Sequence, residues 1–389
     1  MYREPPLRPA LVTEVPSSTS ADAQSPPSNL ASLYSIPAPD RGAVASLKRR
    51  FANQNAALVV TFFALLFIAP LLPGFKGWMA AQISLVIVYI IAAQGVSILS
   101  GYTGLVSVGH GGFLAIGAYA AALLMKHLGI NLIVCVVAGA VASGFVGLLM
   151  GLIFLRLAGP FMAIGTLGFA FFVGTIVNNV PYFEGRTGIS LPANQVLGIK
   201  IGDIGFYYVS VIFLALVTLF IFSLVRSSVG RAFKALRDSE KAAQSSGVNR
   251  LFYRTLAFTI SATITGAAGA LNGLVAHYVS AEVYSDIWYS VDILVAAVVG
   301  GSAMLMGPIL GGAFVALLPY FFETLADFSF ILKGVALIAV LMFAPAGLGD
   351  VLARPFRAFR RRQLIAAGMR PLDPVAPSSR AATTSEGQH

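Results

Sequence analysis

Polar residues interrupt the apolar sequence most clearly at 100–112, which reads SGYTGLVSVGHGG. The segment combines hydroxyl groups and an imidazole with glycines, which leave backbone N–H groups uncovered. Such groups can bind a polar or zwitterionic solute at the start of a half-helix inside a membrane protein. The alternative is a structural turn, in which the glycines allow close helix crossing or build a subunit interface and the histidine bonds to a neighbour. The candidate solute-pathway residues of this segment are Tyr102, Thr103, Ser107 and His110.

One acidic residue, Asp292, lies within the apolar run SDIWYSVDILVAAVVGG. An ionisable side chain at membrane depth is costly, and it commonly marks a translocation pathway or a pair across the bundle. The other interpretation is that the membrane span begins later than the apolar run, which would leave Asp292 near the exterior water. The sequence keeps both interpretations open.

Other chemistries lack the residues that they need. The chain has no GxxxxGK[ST] phosphate-binding loop, no HExxH motif and no GxSxG motif. Its one cysteine, Cys135, excludes an intrachain disulfide and leaves a paired-cysteine metal site without support. We therefore predict no catalytic residue, no metal site and no cofactor bound by this chain itself.

The composition indicates an all-α integral membrane protein. Hydrophobic residues make up 57% of the 389 residues and charged residues only 11%, and the mean hydropathy is +0.82. The apolar runs are continuous over about 20 residues, the length of a membrane-spanning helix, and lack the alternation of a β-barrel. We predict about ten transmembrane helices, at 56–74, 79–99, 111–126, 131–155, 160–180, 206–226, 252–278, 286–301, 308–324 and 329–347.

The distribution of basic residues predicts the orientation of these helices. With the N-terminus inside, 21 of the 26 Lys and Arg residues fall on the cytoplasmic side, in agreement with the positive-inside rule. Both termini are therefore predicted to be cytoplasmic, and the basic residues do not require a nucleic acid partner. The chain divides into a disordered cytoplasmic tail (1–50), one transmembrane domain (51–350) and a second cytoplasmic tail (351–389), which begins basic and ends disordered.

The interior loop at 223–254 is the most informative polar segment. Ser227 or Ser228 can cap a short amphipathic helix, and Gly247 suits the end of a second short helix. Two short helices that lie across the end of a bundle would form a docking surface for a cytoplasmic partner. An ordinary connecting loop, basic because it is inside, would explain the same composition.

Four motifs follow one another along the chain: SGYTGLVSVGHGGFLAIGAY at 100–119, GRAFKALRDSEKAAQSSGV at 230–248, AFTISATITGAAGAL at 257–271 and VVGGSAMLMGPILGGA at 298–313. Together they resemble the permease subunits of ABC importers, in particular the LivM-like branch of the branched-chain amino acid type. The resemblance covers most of residues 100–347. The chain departs from the family pattern at Ala303 and Met304, where relatives usually carry Gly and Thr. The exterior segment EGRTGISLP matches the family pattern only loosely, and residues 1–50 have no counterpart in it.

The resemblance implies an ABC-importer permease bundle that passes several times through the lipid of the inner membrane. Its implied partners are a second homologous permease, two cytoplasmic ATPases that bind ATP and Mg, and a periplasmic solute-binding protein. The implied solutes are branched-chain amino acids, with urea, amides or other small organic acids as alternatives. A stand-alone secondary transporter would instead need paired buried charges or a repeated ion site. The residues implied to engage the ATPase are Gly230, Arg231, Ala235, Arg237, Asp238, Ala242, Ala243 and Gly247.

Overall fold

The structure is a computed structural model of the chain. It describes residues 59–154, 159–192, 195–196, 199–321, scattered positions between 331 and 342, and 347–350. Both predicted tails, 1–50 and 351–389, lie outside the described residues, as does most of the tenth predicted span at 329–347. The described residues comprise most of the first nine predicted spans and of their connections.

The described residues are predominantly helical. Each helix coincides with an apolar run or with a short capped segment of the sequence, as continuous hydrophobicity predicts for a membrane protein. In chain order the helices are α1 (Val59–Leu71), α2 (Gly77–Ser97), α3 (His110–Leu128), α4 (Leu132–Phe154), α5 (Pro160–Asn179), α6 (Asp203–Arg226), α7 (Ser228–Asp238), α8 (Glu240–Ser245), α9 (Arg250–Ala276), α10 (Ala281–Ser285), α11 (Ile287–Gly300) and α12 (Gly307–Phe321).

Six of the described helices are long and apolar enough to cross a membrane: α2 with its π-helical extension to Tyr102, α3, α4, α5, α6 and α9. The predicted span at 286–301 corresponds to α11, which lies within one residue of the predicted bounds at each end. Its 14 residues correspond to about 21 Å, against a hydrocarbon core of about 30 Å. The predicted span at 308–324 corresponds to α12, which begins within one residue of the predicted start, and the predicted end at 324 lies outside the described residues.

Helices α2 and α9 form the centre of the bundle. In each of them 78% of the most apolar window is buried inside the protein, against 28% in α6, whose remaining surface suits lipid. Helix α9 packs on α2, α3 and α4. Small residues permit these contacts, since a Cβ atom at Gly117 of α3 would overlap the carbonyl of Gly266 in α9. The amide of Gln94 in α2 donates to Thr218 Oγ1 of α6 over 2.9 Å and ties α6 to this centre.

Short strands connect the helices at the end of the bundle away from α7 and α8. Strand β1 (Ile189–Ser190) pairs antiparallel with β4 (Tyr278–Val279), in the register Ile189 to Val279 and Ser190 to Tyr278. Strands β2 (Gln195–Val196) and β3 (Ile199–Lys200) form a second antiparallel pair. The described part of the loop after α5 thus consists of turns and short strands, in agreement with the turns that its Gly, Pro and Asn content predicts.

Helix α11 runs beside α2 in the same direction. The ring of Tyr289, near the start of α11, lies 5.5 Å from the ring of Tyr89. Beyond the other end of α11, Ser302 abuts Gly101. Tyr89 is at the middle of the apolar stretch Gly77–Tyr102, so the first turn of α11 contacts α2 near the centre of that stretch.

Candidate functional site

Two regions carry the sequence-predicted site residues. The first consists of α7, α8 and their flanking caps, residues 227–249, which we call the elbow. The elbow contacts residues 98–109, which join α2 to α3 and which we call the glycine break. The second region is a polar cavity lined by Asn272, Asp292 and tyrosine side chains. Each region is built from residues that lie far apart in the sequence.

The first half of the elbow folds back against the end of α6. Ser227 caps α7, since its hydroxyl oxygen accepts a hydrogen bond from the Gly230 N–H over 3.4 Å and donates to the Leu224 carbonyl over 2.7 Å. A side chain at Gly230 would overlap the backbone carbonyls of Leu224 and Val225, so only glycine allows this fold-back. The apolar face of α7, with Phe233 buried, then packs against the bundle.

The second half of the elbow is capped at both ends. The Ser239 hydroxyl accepts a hydrogen bond from the Ala242 N–H at the start of α8. At the other end Gly247 adopts φ +83°, and the N–H groups of Gly247 and Val248 donate to the carbonyls of Gln244 and Ala243. These are the two hydrogen bonds of a Schellman motif. The predicted C-terminal cap at Gly247 is therefore confirmed.

Glu240 connects the elbow to the first turns of α9. Its carboxylate accepts from Arg254 Nη2 over 2.7 Å and forms a second ion pair with Arg250. The Arg254 side chain is only 12% exposed, so this pair is partly shielded from water and from salt. A displacement of α8 must therefore displace the start of α9.

Arg237 connects the elbow to the glycine break. Its Nη1 donates a hydrogen bond to the carbonyl oxygen of Gly101 over 2.9 Å. The aliphatic part of the Arg237 side chain packs against Gly104. Gly104 has φ +72°, and a Cβ atom there would lie 3.0 Å from Arg237 Cγ, so both the backbone conformation and the space favour glycine. The ammonium of Lys234 lies 5.9 Å from the ring centroid of Tyr102. Two cationic side chains of α7 thus contact the break.

Backbone groups of the glycine break and of the first turn of α3 are hydrogen-bonded within the protein. The Val108 N–H donates to Thr166 Oγ1 of α5 over 3.1 Å, and the Gly111 N–H donates to Ser290 Oγ of α11 over 3.0 Å. The Thr103 hydroxyl donates a hydrogen bond to the Leu99 carbonyl over 2.6 Å. Polar backbone at this position is therefore covered by protein, as is required for irregular structure within a membrane bundle.

His110 joins three helices through one chain of hydrogen bonds. Its Nε2 lies 2.8 Å from Ser261 Oγ of α9, and this hydroxyl donates to the Gly95 carbonyl of α2 over 2.7 Å. Because the Ser261 hydroxyl donates its proton to the Gly95 carbonyl, it must accept a hydrogen bond from His110. The histidine therefore carries its proton on Nε2. His110 is thus hydrogen-bonded to a neighbouring helix, as the structural interpretation of the segment predicts.

The structure separates the predicted pathway residues into two groups. Tyr102, Thr103, Ser107 and His110 are all at most 3% exposed and pack within the chain. This burial agrees with a structural turn, and a pathway role for these four residues stays a prediction. Asp292 lies elsewhere, in the wall of the polar cavity. A role of Asp292 in a translocation pathway, and the alternative position near the exterior water, both stay predictions.

The structure also divides the predicted ATPase-contacting residues. Gly230 and Ala243 are buried and serve the folding of the elbow, Ala235 is half-buried, and Arg237 points to Gly101. The remaining four are exposed on the elbow and accessible to a partner: Arg231, Asp238, Ala242 and Gly247.

The polar cavity has a volume of about 270 Å³, and its described lining comes from α2, α9, α10, α11 and α12. The Asn272 amide donates to the hydroxyl of Tyr289 over 2.8 Å and to that of Tyr284 over 3.2 Å. Asp292 interacts electrostatically with Tyr89 and Tyr289. Sequence analysis found Asp292 and missed the other polar residues. Asn272 offered a signal, because a carboxamide within the apolar GAAGALNGLV run is costly unless it is hydrogen-bonded.

A mostly helical bundle with six candidate membrane spans and an elbow across one end is the architecture of a multi-pass membrane protein. The chain belongs to the family described as branched-chain amino acid transport system / permease component, whose model matches residues 79–345. This confirms the resemblance of the four motifs. The members of this family are transport permeases rather than enzymes, and the chain is a protein of the inner membrane.

Two curated proteins are similar to the chain over most of its length. They are the high-affinity branched-chain amino acid transport system permease proteins LivM of Salmonella typhimurium strain LT2 and Escherichia coli strain K12. Each is 30% identical over 291 residues, which cover 68% of this chain and 68% of the relative. No solved structure matches the chain.

Proposed function

We propose that the chain is the permease subunit of an ABC importer that carries branched-chain amino acids across the inner membrane. The family match over residues 79–345 and the two LivM relatives support the solute class. ATP and Mg would be bound by separate ATPase subunits, and this chain would contribute no catalytic residue. The other subunits would be a second, homologous permease and a periplasmic solute-binding protein.

The proposed topology has ten membrane spans with both termini in the cytoplasm. The alternation of the described helices supports it, because the elbow and the turn at 301–306 lie at one end of the bundle and the β1–β4 pair lies at the other. The basic residues of the elbow then face the cytoplasm, in agreement with the positive-inside rule. An ATPase would reach the four exposed elbow residues named above.

The contact between Arg237 and Gly101 is the observation that carries the proposed mechanism. Closure of the ATPase pair would move the elbow, and Glu240 would pass this movement to the start of α9. Arg237 would pass it at the same time to the glycine break, from which α2 and α3 diverge. The elbow thus acts on three central helices through a hydrogen bond and two ion pairs, which can rearrange between discrete states.

The test is a double substitution, Arg237→Ala with Asp238→Ala, in the complete complex reconstituted in vesicles. Leucine uptake should fall roughly tenfold, since coupling energies of this kind amount to about 1–3 kcal/mol. ATP hydrolysis by the complex should persist, because the ATPase sites are on other subunits. The ratio of leucine transported to ATP hydrolysed is the quantity to measure.

A matched control is Glu282→Ala, which removes an exposed charge at the opposite end of the bundle and should leave that ratio unchanged. Unchanged uptake in the double variant would contradict the coupling role of the elbow. Leucine transport by the purified chain in vesicles without any ATPase would contradict the importer assignment and favour a stand-alone secondary transporter.

A further inference from the structure

An apolar groove runs between α1 and α6 on the outside of the bundle. Its volume is about 690 Å³, within the range of about 300–1,000 Å³ that is typical of small-molecule sites. Large side chains of its described lining are more than half exposed, among them Val60 at 65%, Phe67 at 54% and Leu219 at 62%. The groove is therefore open to the hydrocarbon chains of the membrane.

The groove lies towards the elbow end of α6. The first turns of α6 meet the end of α1, where the ring of Tyr208 lies 5.2 Å from the ring of Phe67. The groove residues of α6 fall later in the helix, within 215–222, and thus closer to Arg226. Leu305, from the turn between α11 and α12 at the elbow end, also belongs to the described lining. The groove therefore adjoins the membrane leaflet at the elbow end.

Two exposed arginines lie at this end of the groove. The guanidinium carbon of Arg226 lies 3.7 Å from the ring centroid of Phe222, which lines the groove. Arg231 of α7 donates from its Nη1 to the carbonyl oxygen of Arg226 over 3.4 Å. Neither arginine forms an ion pair with a carboxylate of the described residues. Both guanidinium groups can therefore bind an anion, and phosphate is the anion that matches their geometry best.

The described groove lining itself offers no group that a polar ligand would need. It consists of aliphatic and aromatic side chains together with Thr218, whose hydroxyl is already hydrogen-bonded to Gln94. The combination of an apolar groove with unpaired cations at one end matches a molecule that has an acyl chain and an anionic head group. Basic residues at the cytoplasmic ends of membrane helices attract anionic lipids for the same reason.

We propose that this groove binds an anionic phospholipid of the leaflet at the elbow end. The phosphate group contacts the guanidinium groups of Arg226 and Arg231, and one acyl chain lies between α1 and α6. The lipid thus fills the gap between these helices at the point where α6 enters the elbow. Under the proposed topology this leaflet is the cytoplasmic one.

The test uses the purified full chain in detergent with two photoreactive lipids, phosphatidylglycerol and phosphatidylethanolamine, which carry the same diazirine-bearing acyl chain. Mass spectrometry locates the labelled residues after illumination. The anionic lipid should label 59–68 and 215–222 at least about fivefold more than the zwitterionic lipid. This is the factor expected from one arginine near an anionic head group.

Arg226→Gln should lower this preference about fivefold, and Arg226→Lys should retain most of it. Lys241→Gln removes an exposed cation elsewhere on the elbow and should leave the preference unchanged. Because the comparison of the two lipids on the unaltered chain is informative alone, a folding defect of one variant would not prevent the test.

A second pair of variants tests the groove and leaves every charge in place. Leu219→Trp should fill the groove and lower the labelling of 59–68 by both lipids. Leu216→Trp is the matched control, since this residue is also exposed on α6 but lies outside the described lining. It should leave the labelling unchanged.

Four results would overturn the proposal. The first two are equal labelling of the groove by both lipids and a preference that survives in Arg226→Gln. The third is labelling that Leu219→Trp does not reduce. The fourth is loss of the groove labelling in the complete complex, which would show that another subunit covers the groove. No transported solute enters the test, so its outcome is independent of the proposed function.

Discussion

Single glycines determine how closely the central helices approach. Gly117 of α3 faces the Gly266 carbonyl of α9, and Gly269 of α9 faces the Leu114 carbonyl of α3. Lipid offers no hydrophobic driving force between helices, so close packing of this kind provides much of the association energy. The glycines at this crossing are structural parts of the bundle rather than components of a solute site.

Gly117→Ala should therefore destabilise the protein by about 1–3 kcal/mol, because the added methyl group would overlap backbone that cannot move aside. Thermal unfolding of the purified chain in detergent would show a lowered transition temperature. Gly168→Ala is the matched control, since it also lies within a helix but meets nothing within 4 Å of the new Cβ atom. It should be neutral or stabilising by roughly 0.5–1 kcal/mol. Equal transition temperatures for the two variants would refute the packing role of Gly117.

At the scale of elements, the elbow is capped at both ends and is attached to the bundle at four points. Its caps at Ser227, Ser239 and Gly247 hold two short helices that are too short to be stable alone. Its attachments are the continuous chain to α6 and to α9, the Glu240 ion pairs and the Arg237 contact. This arrangement lets the elbow move as one piece when a partner displaces it.

Glu240→Gln should loosen the elbow from α9. The substitution removes two ion pairs and leaves the mostly buried guanidinium of Arg254 without its carboxylate, a loss of about 1–2 kcal/mol after allowance for the partial exposure of the pairs. Hydrogen exchange of residues 228–248 should accelerate by about tenfold, which corresponds to 1.4 kcal/mol. Glu282→Gln, at an exposed position on α10, is the control and should leave this exchange unchanged. Unaltered exchange in Glu240→Gln would show that the ion pairs do not hold the elbow.

At the scale of the whole molecule, the two ends of the bundle differ in charge and in construction. The elbow end carries most of the described Lys and Arg residues, and the opposite end carries short strands and the Lys126–Glu184 ion pair. The positive-inside rule then orients the elbow towards the cytoplasm. An ATPase and a solute-binding protein would bind at opposite ends, and the polar cavity lies between them.

Cysteine labelling of whole cells tests this orientation. Ser190→Cys and Ser245→Cys are nearly isosteric changes at exposed positions on opposite ends of the bundle. In a Cys135→Ser background, a membrane-impermeant maleimide should label Ser190→Cys in intact cells. It should label Ser245→Cys only after permeabilisation. The reverse pattern would show that the topology is inverted.

The helices and caps were largely predictable because their causes are local. A continuous apolar run of about 20 residues must form a helix in lipid, where no other structure satisfies its backbone. The caps at Ser227 and Gly247 follow from side-chain and backbone preferences within a few residues. The short helix α10 was not predicted, because residues 281–285 are positioned by contacts with α3 and α5, which are distant in the sequence.

The chemistry-bearing residues were identified in part. Asp292 and Arg237 stand out in the sequence, as a charge in an apolar run and as a cation in a coupling motif. Their partners do not stand out, because Gly101 is 136 residues from Arg237 and Tyr89 is about 200 residues from Asp292. Only packing brings such groups together. The same packing buries the polar residues of the glycine break, which sequence analysis considered for the pathway.

The sequence alone therefore determined that the chain is a helical membrane permease, where its described helices lie and which family it belongs to. These properties depend on hydrophobicity, charge and short motifs, which act over one helix or less. The tertiary structure alone decided that the elbow contacts the glycine break and that Asn272, Tyr289 and Asp292 line one polar cavity. Both features arise from helices that cross at close range, and the crossing geometry depends on all the packed side chains at once.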